Sequence, residues 1–527
     1  MVPFTAPSRR LHLVGCGPRE GDRTSGSSLD KELLMMISGL ISLLCLTTSV
    51  EIPEVEGKKP APVNIVYILA DDLGYRELGC YGQEKIRTPR LDRLASEGMR
   101  FTQHYSGAPV CASSRCVLMT GLHCGHSLVR NNWENGGWGE NQPEGQYPLP
   151  AGTFTMARML HDAGYATGVF GKWGLGGPGT TGAPENQGFD TSCTVNCQRK
   201  AHNFYPNHLW KNGEKMVLPG NGWFKAHQKI AAPLANDSEY YQRYLGETYS
   251  PDVFLEEALS FIDENSDRPF FLYYPSPIPH VALQVPVEEL DAYPREWDEK
   301  PYLGGSYLPH PRPRAAYAAM ITHLDKEVGA ILDRLEQHGL TDNTIVMFTS
   351  DNGTTWAGGA DHQFFESTRG LSGLKGSVLE GGIRVPLVVR WPGRIKAGSV
   401  SEFPSSFPDM MPTVAEIAGI GFDRPVDGDS LMPAFGGANP ARENDLYWEH
   451  GDQQALRHGD WKLVRRRLSK KNPQTQLFDL SADPGEKKNL AKERPEILKM
   501  MIERAAATRF PSLIFPNPGI DKLASTE

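Results

Sequence analysis

Apolar runs that stop at a polar residue are the feature that most constrains the fold of this chain. Each run is continuous, which is typical of a strand buried on both faces of a sheet. The clearest runs are residues 63–69, 166–170, 269–274 and 344–349. Amphipathic helical patterns lie between them, at residues 153–163, from residue 250 onward and at residues 314–338. Strands that alternate with helices predict an α/β fold, in which helices cover both faces of a mostly parallel sheet.

Chemically useful side chains come directly after these runs. They are Asp71 and Asp72 after the first run, Lys172 after the second, His280 after the third, and Asp351 and Asn352 after the fourth. In open α/β sheets, ligands bind outside the carboxyl ends of the strands. We therefore expect these sequence-distant residues to converge on one crevice.

Asp71, Asp72, Asp351 and Asn352 form a set with only oxygen ligands. Each pair alone is also an ordinary turn sequence, since Asp-Asp-Leu-Gly and Asp-Asn-Gly are both common in turns. Both pairs follow predicted strands, and together they suit a hard cation such as Ca²⁺ or Mg²⁺. Such a cation would polarise a substrate oxyanion and favour a deprotonated nucleophile.

The stretch at residues 110–121 (VCASSRCVLMTG) is predicted to be a loop that opens into a short helix. Ser113 and Ser114 are candidate caps for that helix. Cys111 would stand among free backbone N–H groups at the positive end of the helix dipole, a position that binds anions and activates a thiol. Arg115, four residues later, lies on the same helical face and can reach back to Cys111.

This stretch resembles the sulfatase signature, with Cys111, Ser114, Arg115, Leu118, Thr120 and Gly121 in matching positions. Other blocks resemble that family in the same order, from residue 63 to residue 490. They are DDLGY at 71–75, GKW at 171–173, TSDNG at 349–353, KG at 375–376 and EGGIRVP at 380–386. In that family the cysteine is oxidised after translation to formylglycine, whose hydrated aldehyde supplies the nucleophilic oxygen. The second hydroxyl of the hydrate can then lose its proton and expel sulfate, which divides covalent catalysis into two easier steps.

The resemblance implies an alkaline-phosphatase-like fold and a divalent cation, usually calcium. It implies metal ligation by Asp71, Asp72, Asp351, Asn352 and the formylglycine at position 111. Arg115 would hold the hydrate, Lys172 and Lys375 would hold the sulfate, and His280 would lie near the leaving oxygen. A formylglycine-generating maturation enzyme is then a required partner. On local grounds alone, a single lysine is usually a solvated surface residue, and His280 is as well explained as a structural histidine.

Two positions depart from the family pattern. Ser113 replaces the proline of the maturation signal, which bears on the modification of Cys111. Gly174 stands where the family often has a histidine that contacts the hydrate. His123 and His126, in the loop after the signature, are candidates to take over that role.

Substrate choice is predicted to lie in residues 196–210, which follow the Gly-Lys block and a Gly/Pro-rich loop. Loops at strand ends usually carry specificity. Arg199, Lys200 and His202 are candidates to bind sulfate or sugar hydroxyls, and Tyr205 or Trp210 could offer a face to a sugar ring. The alternative is that the aromatic side chains pack the loop down and the cations are solvated.

These features together predict an enzyme, a sulfatase that acts on a sulfated carbohydrate or another sulfate ester. One alternative is a phosphodiesterase or phosphonate hydrolase on the same fold. Zinc-dependent relatives carry Asp-His at the strand end, and here Asp361-His362 comes ten residues after Asp351. Another alternative is a non-catalytic binding protein, for which Ser113 and Gly174 are the support.

Composition excludes some functions. The formal charge is −9 at pH 7 and no long basic run occurs, so nucleic acid is not an expected partner. No Cys-x-x-Cys pair occurs among the eight cysteines, which argues against a zinc ribbon or a thioredoxin-type site. Cys116 with Cys124, or Cys193 with Cys197, could form a disulfide, and buried free thiols are the alternative.

The amino-terminal region is predicted to be a leader. Residues 33–46 (LLMMISGLISLLCL) form an apolar run after Lys31 that is too short to span a bilayer and is typical of a secretory signal peptide. Export to the periplasm or the exterior is therefore expected. The predicted organisation is a leader and linker at residues 1–61, a catalytic domain at 62–435 and a smaller α+β domain with an antiparallel sheet at 436–527. Its predicted short antiparallel strands are residues 446–448, 461–466 and 476–480, and a helix from residue 495 to about 507 is expected to pack on them.

Overall fold

The computed structural model describes residues 62–521, except residues 135, 137, 138, 141, 143, 235, 236 and 299. The predicted leader and its apolar run at residues 33–46 lie outside these residues. Within the described part of the chain, no helix has the length and apolar character needed to cross a membrane.

The strands of the larger sheet are β1 (Asn64–Ala70), β2 (Met99–Tyr105), β3 (Ala166–Lys172), β4 (Thr191–Val195), β5 (His208–Lys211), β6 (Glu214–Val217), β7 (Phe270–Pro275), β8 (Thr344–Ser350), β9 (Arg384–Arg390), β10 (Ser399–Ser401) and β11 (Ser405–Ser406). The smaller sheet consists of β12 (Leu446–His450), β13 (Gln453–His458), β14 (Trp461–Arg466) and β15 (Gln474–Asp479). The helices are α1 (Pro89–Glu97), α2 (Cys111–Thr120), α3 (Met156–Asp162), α4 (Ser238–Gln242), α5 (Ser250–Glu264), α6 (Pro313–Gln337), α7 (Glu380–Ile383), α8 (Met410–Ala418), α9 (Met432–Phe435) and α10 (Pro495–Ala507).

The larger sheet has the strand order β10-β2-β9-β8-β1-β7-β3-β4-β5-β6, and β11 also pairs with β2. Its centre is parallel, since β1 pairs in parallel with β7 and β8, and β3 pairs in parallel with β7 and β4. The predicted fold class, a mostly parallel sheet between helices with a separate antiparallel sheet, is confirmed. Sequence reasoning did not predict the antiparallel neighbours β2, β9, β5 and β6.

The register of the central strands brings their carboxyl ends level. Leu69 of β1 pairs with Pro275 of β7 on one side and with Thr349 of β8 on the other. β1, β7 and β8 are buried along their whole length, as the continuous apolar runs predict. The residues that follow these strands therefore emerge side by side at one edge of the sheet.

The smaller sheet is antiparallel, in the order β12-β13-β14-β15. Helix α10 contacts β13 and β14, and Met501 and Ala505 are its buried residues. The sequence predicted β12, β14, β15 and α10 but missed β13, whose QQALRH sequence lacks an apolar run. The domain boundary after Phe435 stays a prediction.

The described cysteines are free thiols. Cys116, Cys124, Cys193 and Cys197 are all buried and none forms a disulfide, which confirms the alternative of buried thiols for both candidate pairs. The thiols of Cys116 and Cys124 are packed in the apolar core between the sheet and its helices.

Candidate active site

The strand order places the predicted residues together. β8, β1, β7 and β3 are consecutive in the sheet, and their carboxyl ends lead to Asp351 and Asn352, to Asp71 and Asp72, to His280, and to Lys172. All of these side chains are buried. One atom each from Asp71, Asp72, Cys111 and His280 lies within 4.8 Å of the others.

Cys111 is the first residue of α2, and Val110 is its N-cap without a side-chain capping bond. The expected caps lie inside the helix instead: Ser113 Oγ donates to the carbonyl of Val110, and Ser114 Oγ accepts from the N–H of Gly107. Capping by Ser113 or Ser114 was therefore wrong, because the helix begins before either residue. The predicted position of Cys111 at the helix start is the one observed.

The thiol of Cys111 points into the cluster of carboxylates and lysines. Its Sγ lies 3.4 Å from Asp71 Oδ1 and 3.4 Å from Lys375 Nζ. Burial, reinforced by the negative charge of Asp71, raises the pKa of the Cys111 thiol to about 12, although Lys172 and Lys375 act in the opposite direction. The expectation of an activated thiol is therefore not met, since a protonated thiol is a poor nucleophile.

Arg115 bonds to carboxylates of the cluster, and no hydrogen bond joins it to Cys111 in the described structure. Its Nε and one terminal nitrogen donate to Asp351 Oδ2 at 3.0 and 2.8 Å, and it lies 3.4 Å from Asp71 Oδ2. Its other terminal nitrogen donates to the carbonyl of Lys172. Burial opposes the charge of Arg115, but Asp351 and Asp71 outweigh it and raise the pKa of the guanidinium.

Two lysines hold the aspartates after β1. Lys172 Nζ donates to Asp71 Oδ2, and both side chains are fully buried. Lys375 Nζ lies 2.8 Å from Asp72 Oδ2 and 2.7 Å from Asp72 Oδ1. Burial opposes the charge of Lys375, but Asp72 and the other acidic groups hold its pKa well above the ordinary value. Lys375 is therefore a cation within the site, and Lys172 forms an ion pair with Asp71.

His280 lies against the same cluster. Its Nε2 is 3.6 Å from Asp72 Oδ2, and its Nδ1 bonds to the carbonyl of Val281. Burial and the positive charge of Lys375 lower the pKa of His280 to about 4, so the ring is neutral near pH 7. Because Nδ1 must carry the proton that bonds to the carbonyl, Nε2 is the free acceptor.

The oxygen set fits a cation. Asn352 Nδ2 donates to Asp72 Oδ1 at 2.7 Å, whereas Asn352 Oδ1 is buried without a hydrogen-bond partner among the described residues. An unpaired buried acceptor costs free energy unless a ligand satisfies it. A turn gives no partner to Asn352 Oδ1, whereas a bound cation would. The oxygen set of Asp71, Asp72, Asp351 and Asn352 therefore suits a hard divalent cation better than a purely structural turn.

The space beside Gly174 is filled by Gln198. A Cβ at Gly174, whose φ is 80°, would lie 1.9 Å from Gln198 Nε2. Both polar atoms of the Gln198 amide are buried without a partner in the described structure. The candidates His123 and His126 do not take the role of a histidine at this position. They stack on each other at 4.3 Å and pair with Asp427.

The predicted substrate segment divides into two parts. His202 stacks on His280, with ring centroids 4.5 Å apart. Arg199 pairs with Glu134 at 3.4 Å, and Lys200 Nζ lies 3.4 Å from the carbonyl of Gly139. His202 thus contacts the cluster directly, whereas Arg199 and Lys200 contact residues 134 and 139 instead.

The aromatic residues of that segment pack the fold. Tyr205 is buried against Tyr249, and Trp210 Nε1 donates to Glu144. For these two residues, packing of the loop is the observed arrangement and a free face for a sugar is not. The aromatic residue that sequence reasoning missed is Tyr307, whose ring lies 5.1 Å from His202 and 5.8 Å from His280.

The Asp361-His362 pair, considered as a mark of a zinc enzyme, stands apart from these contacts. Asp361 Oδ2 accepts from Arg314 at 2.8 and 2.9 Å, and its other oxygen accepts from the N–H of Phe364. Its carboxylate is therefore engaged in holding the start of α6 and the loop after β8.

Comparison with known proteins decides the family. The Sulfatase family model matches residues 63–420, and the model for the carboxyl-terminal region of N-sulphoglucosamine sulphohydrolase matches residues 374–509. The chain belongs to the sulfatase family. The sulfatase is 29% identical to N-acetylgalactosamine-6-O-sulfatase of Bacteroides thetaiotaomicron, over 89% of this chain and 97% of that protein. It is 32% identical to N-acetylgalactosamine-6-sulfatase of Canis lupus familiaris, over 76% of this chain and 72% of that protein.

Solved structures agree with this assignment. The sulfatase superposes on the crystal structure of Ps i-CgsB with a TM-score of 0.67 at 27% identity, over 84% of this chain and 92% of that one. It is therefore an enzyme that hydrolyses sulfate esters. The residues that follow four strands, β1, β3, β7 and β8, converge as the resemblance to this family implies.

Proposed function

We propose that this sulfatase cleaves sulfate esters of carbohydrates, using a formylglycine made from Cys111 and a divalent cation, Ca²⁺ or Mg²⁺. The observation that carries the proposal is the placement of Cys111 Sγ, 3.4 Å from both Asp71 Oδ1 and Lys375 Nζ. A buried, protonated thiol is a poor nucleophile at this position. An oxygen nucleophile on the same side chain would lie beside Asp71, a proposed metal ligand, and beside the cation Lys375. Ser113 is the one departure of the signature that bears on the maturation step.

The cation would be held by Asp71, Asp72, Asp351, Asn352 and the modified residue at position 111. When bound, it supplies positive charge that polarises sulfate oxygens and favours a deprotonated nucleophile. Asn352 Oδ1, which has no partner in the described chain, supports this ligand set. The hydrated aldehyde at position 111 supplies the attacking oxygen and a second hydroxyl for the release of sulfate.

The side chains around this centre have complementary roles. Lys172 and Lys375 carry positive charge where negative charge develops on the transferring sulfate. In many enzymes, such preorganised charge makes the largest single contribution to stabilising the transition state. Arg115 holds Asp351 and Asp71 in place through paired contacts. His280 is neutral, and its Nε2 is an acceptor. It would take the proton that the attacking hydroxyl at position 111 loses and would pass this proton to the leaving oxygen.

The carbohydrate class follows from the relatives and from the loop beside the site. The relatives of 29% and 32% identity are N-acetylgalactosamine-6-sulfatases, and Ps i-CgsB has been solved in complex with k-i-k-neocarrahexaose. Here Arg199, Lys200 and His202 would contact the substrate, with His202 next to His280. The phosphonate monoester hydrolase of Agrobacterium radiobacter is 20% identical with a TM-score of 0.56, which supports a shared fold alone.

The experiment is release of sulfate by protein purified from a host that has the maturation enzyme, compared before and after removal of metal. We expect activity on 4-nitrophenyl sulfate and on N-acetylgalactosamine 6-sulfate, loss on chelation, and recovery when Ca²⁺ or Mg²⁺ returns. Hydrolysis of a phosphonate monoester without hydrolysis of either sulfate ester would contradict the proposal.

Export to the periplasm or the exterior is part of the proposal and is supported by the apolar run at residues 33–46. Amino-terminal sequencing of the protein from its native host is expected to find a start near residue 50. Retention of residues 1–45 on the active protein would contradict export by this signal.

A further inference from the structure

A cavity of about 470 Å³ lies next to the predicted substrate segment. This volume is within the range of ~300–1,000 Å³ that is typical of ligand sites. Its described lining combines the predicted segment with a loop that sequence reasoning did not single out. The residues are Gly139, Gln142, Arg199, Lys200, Asn203, Pro206, Asn207, Gly222, Trp223, Phe224, Lys225, Ala226 and His227. We call it the Trp223 cavity.

Contacts between aromatic rings connect the Trp223 cavity to the candidate active site. His227 lines the cavity, and its ring centroid is 5.3 Å from that of His202. His202 in turn stacks on His280 at 4.5 Å, and Tyr307 touches all three rings. His202 therefore lies between the residue that lines the cavity, His227, and His280 of the candidate active site.

The charge of the Trp223 cavity is positive. Arg199, Lys200 and Lys225 carry positive charges, and no carboxylate occurs among the described lining residues. Arg199 pairs with Glu134, which lies outside the lining. Lys200 and Lys225 have no carboxylate within salt-bridge distance in the described part of the chain. On a protein with a formal charge of −9, this concentration of cations marks a place for an anion.

Trp223 offers an aromatic face at the same place. Its side chain is 42% exposed, although large apolar side chains usually bury more of their surface. An exposed tryptophan beside cations combines a broad apolar surface with charge, which suits a ring that carries an anionic group.

The cavity is built before any ligand binds. The loop that carries Trp223 and His227 is tied to residues 304–306: Lys229 forms a β-bridge with Gly304, the N–H of Gly305 donates to the carbonyl of Gln228 at 2.6 Å, and His227 Nδ1 bonds to the carbonyl of Ser306. A site held in shape by the backbone loses less conformational entropy when it binds a ligand.

We propose that the Trp223 cavity binds a second, anionic sugar unit of the substrate, a uronate or a further sulfated sugar, linked to the unit that loses its sulfate. Trp223 stacks on the ring of this unit, and Lys225 and Lys200 bind its anionic group. The inference rests on the proposed function and specifies its substrate as a polyanionic oligosaccharide.

The test compares two ligands that differ by one charge. The first is the disaccharide of a uronic acid and N-acetylgalactosamine 6-sulfate, and the second is the same disaccharide with its carboxylate converted to a methyl ester. Each is measured as an inhibitor of 4-nitrophenyl sulfate hydrolysis by the full-length, metal-loaded enzyme. The variants are Lys225→Ala, Trp223→Ala and the matched control Lys396→Ala, which removes an exposed lysine from the loop after β9.

The wild type and Lys396→Ala are expected to bind the acid about three- to fivefold more tightly than the ester, which is the effect of one exposed ion pair. Lys225→Ala is expected to reduce this preference for the acid, and Lys200 accounts for the part that remains. Trp223→Ala is expected to weaken both roughly tenfold while it preserves the preference for the acid.

Equal inhibition by acid and ester in the wild type would overturn the inference, and so would a preference for the acid that is undiminished in Lys225→Ala. In both cases hydrolysis of 4-nitrophenyl sulfate by the wild type shows that the proposed function itself holds. Absence of that hydrolysis in metal-loaded, modified enzyme would overturn the proposed function and the subsite together.

Discussion

Lys462→Met removes the cation of a buried charge cluster that joins the two sheets. Lys462 of β14 lies 2.7 Å from Glu380 Oε1 and 2.9 Å from Glu486 Oε1, and all three side chains are fully buried. Glu380 begins α7, which leads directly into β9 of the larger sheet. Burial raises the pKa of Glu486 to about 6 against the opposing effect of Lys462.

Methionine keeps the length of the side chain over the ring of Trp448. It leaves the buried carboxylate of Glu486 without the cation it pairs with, and Glu380 with only the weaker pair to Arg384 at 3.4 Å. Removing one partner of a buried ion pair destabilises a protein by ~3–5 kcal/mol, because the remaining charge is uncompensated. That loss is a large part of the ~5–15 kcal/mol by which folded domains are stable. Adding Glu486→Gln to Lys462→Met is expected to recover part of the lost free energy of unfolding, since the substitution removes the buried charge of Glu486.

The assay is urea unfolding followed by tryptophan fluorescence. The matched control is Lys488→Met, which removes an exposed lysine 3.2 Å from Glu493 and is expected to cost less than ~1 kcal/mol. Activity is expected to fall in Lys462→Met as well, because Gly382 of α7 accepts from the N–H of Gly353, next to Asn352. A loss of stability as small as that of the control would refute the view that this cluster holds the sheets together.

Asp351→Ala is expected to abolish turnover and to lower Ca²⁺ affinity in calorimetry, because it removes a proposed metal ligand and the partner of Arg115. Asp361→Ala is the control, since the carboxylate of Asp361 pairs with Arg314 instead. Equal activity of the two variants would contradict the ligand set. Gly174→Ala is expected to lower the unfolding free energy by more than the ~1–3 kcal/mol that a left-handed non-glycine residue costs, since its Cβ would also meet Gln198. Gly179→Ala is the control for the backbone cost alone, because Gly179 has a φ of 70° and open space around it. Equal losses of unfolding free energy in the two variants would contradict the clash. Arg199→Ala or His202→Ala should weaken turnover of a sulfated oligosaccharide much more than turnover of a small aryl sulfate, because remote contacts act only on substrates large enough to make them. Equal losses on both substrates would assign these residues to the core chemistry or to folding.

The sequence predicted the parts of the fold that follow from continuous apolar runs. β1, β3, β7 and β8 are buried on both faces, and such strands leave a clear signal. β2 was missed because polar and charged residues interrupt it, as in MRFTQHY. β9 was missed because Pro386 stands inside its apolar run, RVPLVVR, and proline is unusual within a strand. The carboxyl-terminal helix was predicted with its observed bounds, since Pro495 marks its first turn.

The candidate site was predictable where residues follow strands and unpredictable where long-range contacts decide. Asp71, Asp72, Lys172, His280, Asp351 and Asn352 were found because the topology brings strand ends together. The position of Gln198 beside Gly174, and the separation of His123 and His126 into a pair with Asp427, depend on packing between distant segments. The cluster WFKAH at residues 223–227 was a signal in the sequence that could have indicated the Trp223 cavity.

The chemical state of residue 111 tests the central claim most directly. The measurement is peptide mass spectrometry of the segment that contains Cys111, on active protein purified from its native host. We expect the mass of an aldehyde or its hydrate at residue 111, and the fraction of protein molecules that carry it should rise in proportion to specific activity. Full activity in protein whose residue 111 is entirely an unmodified thiol would contradict the account.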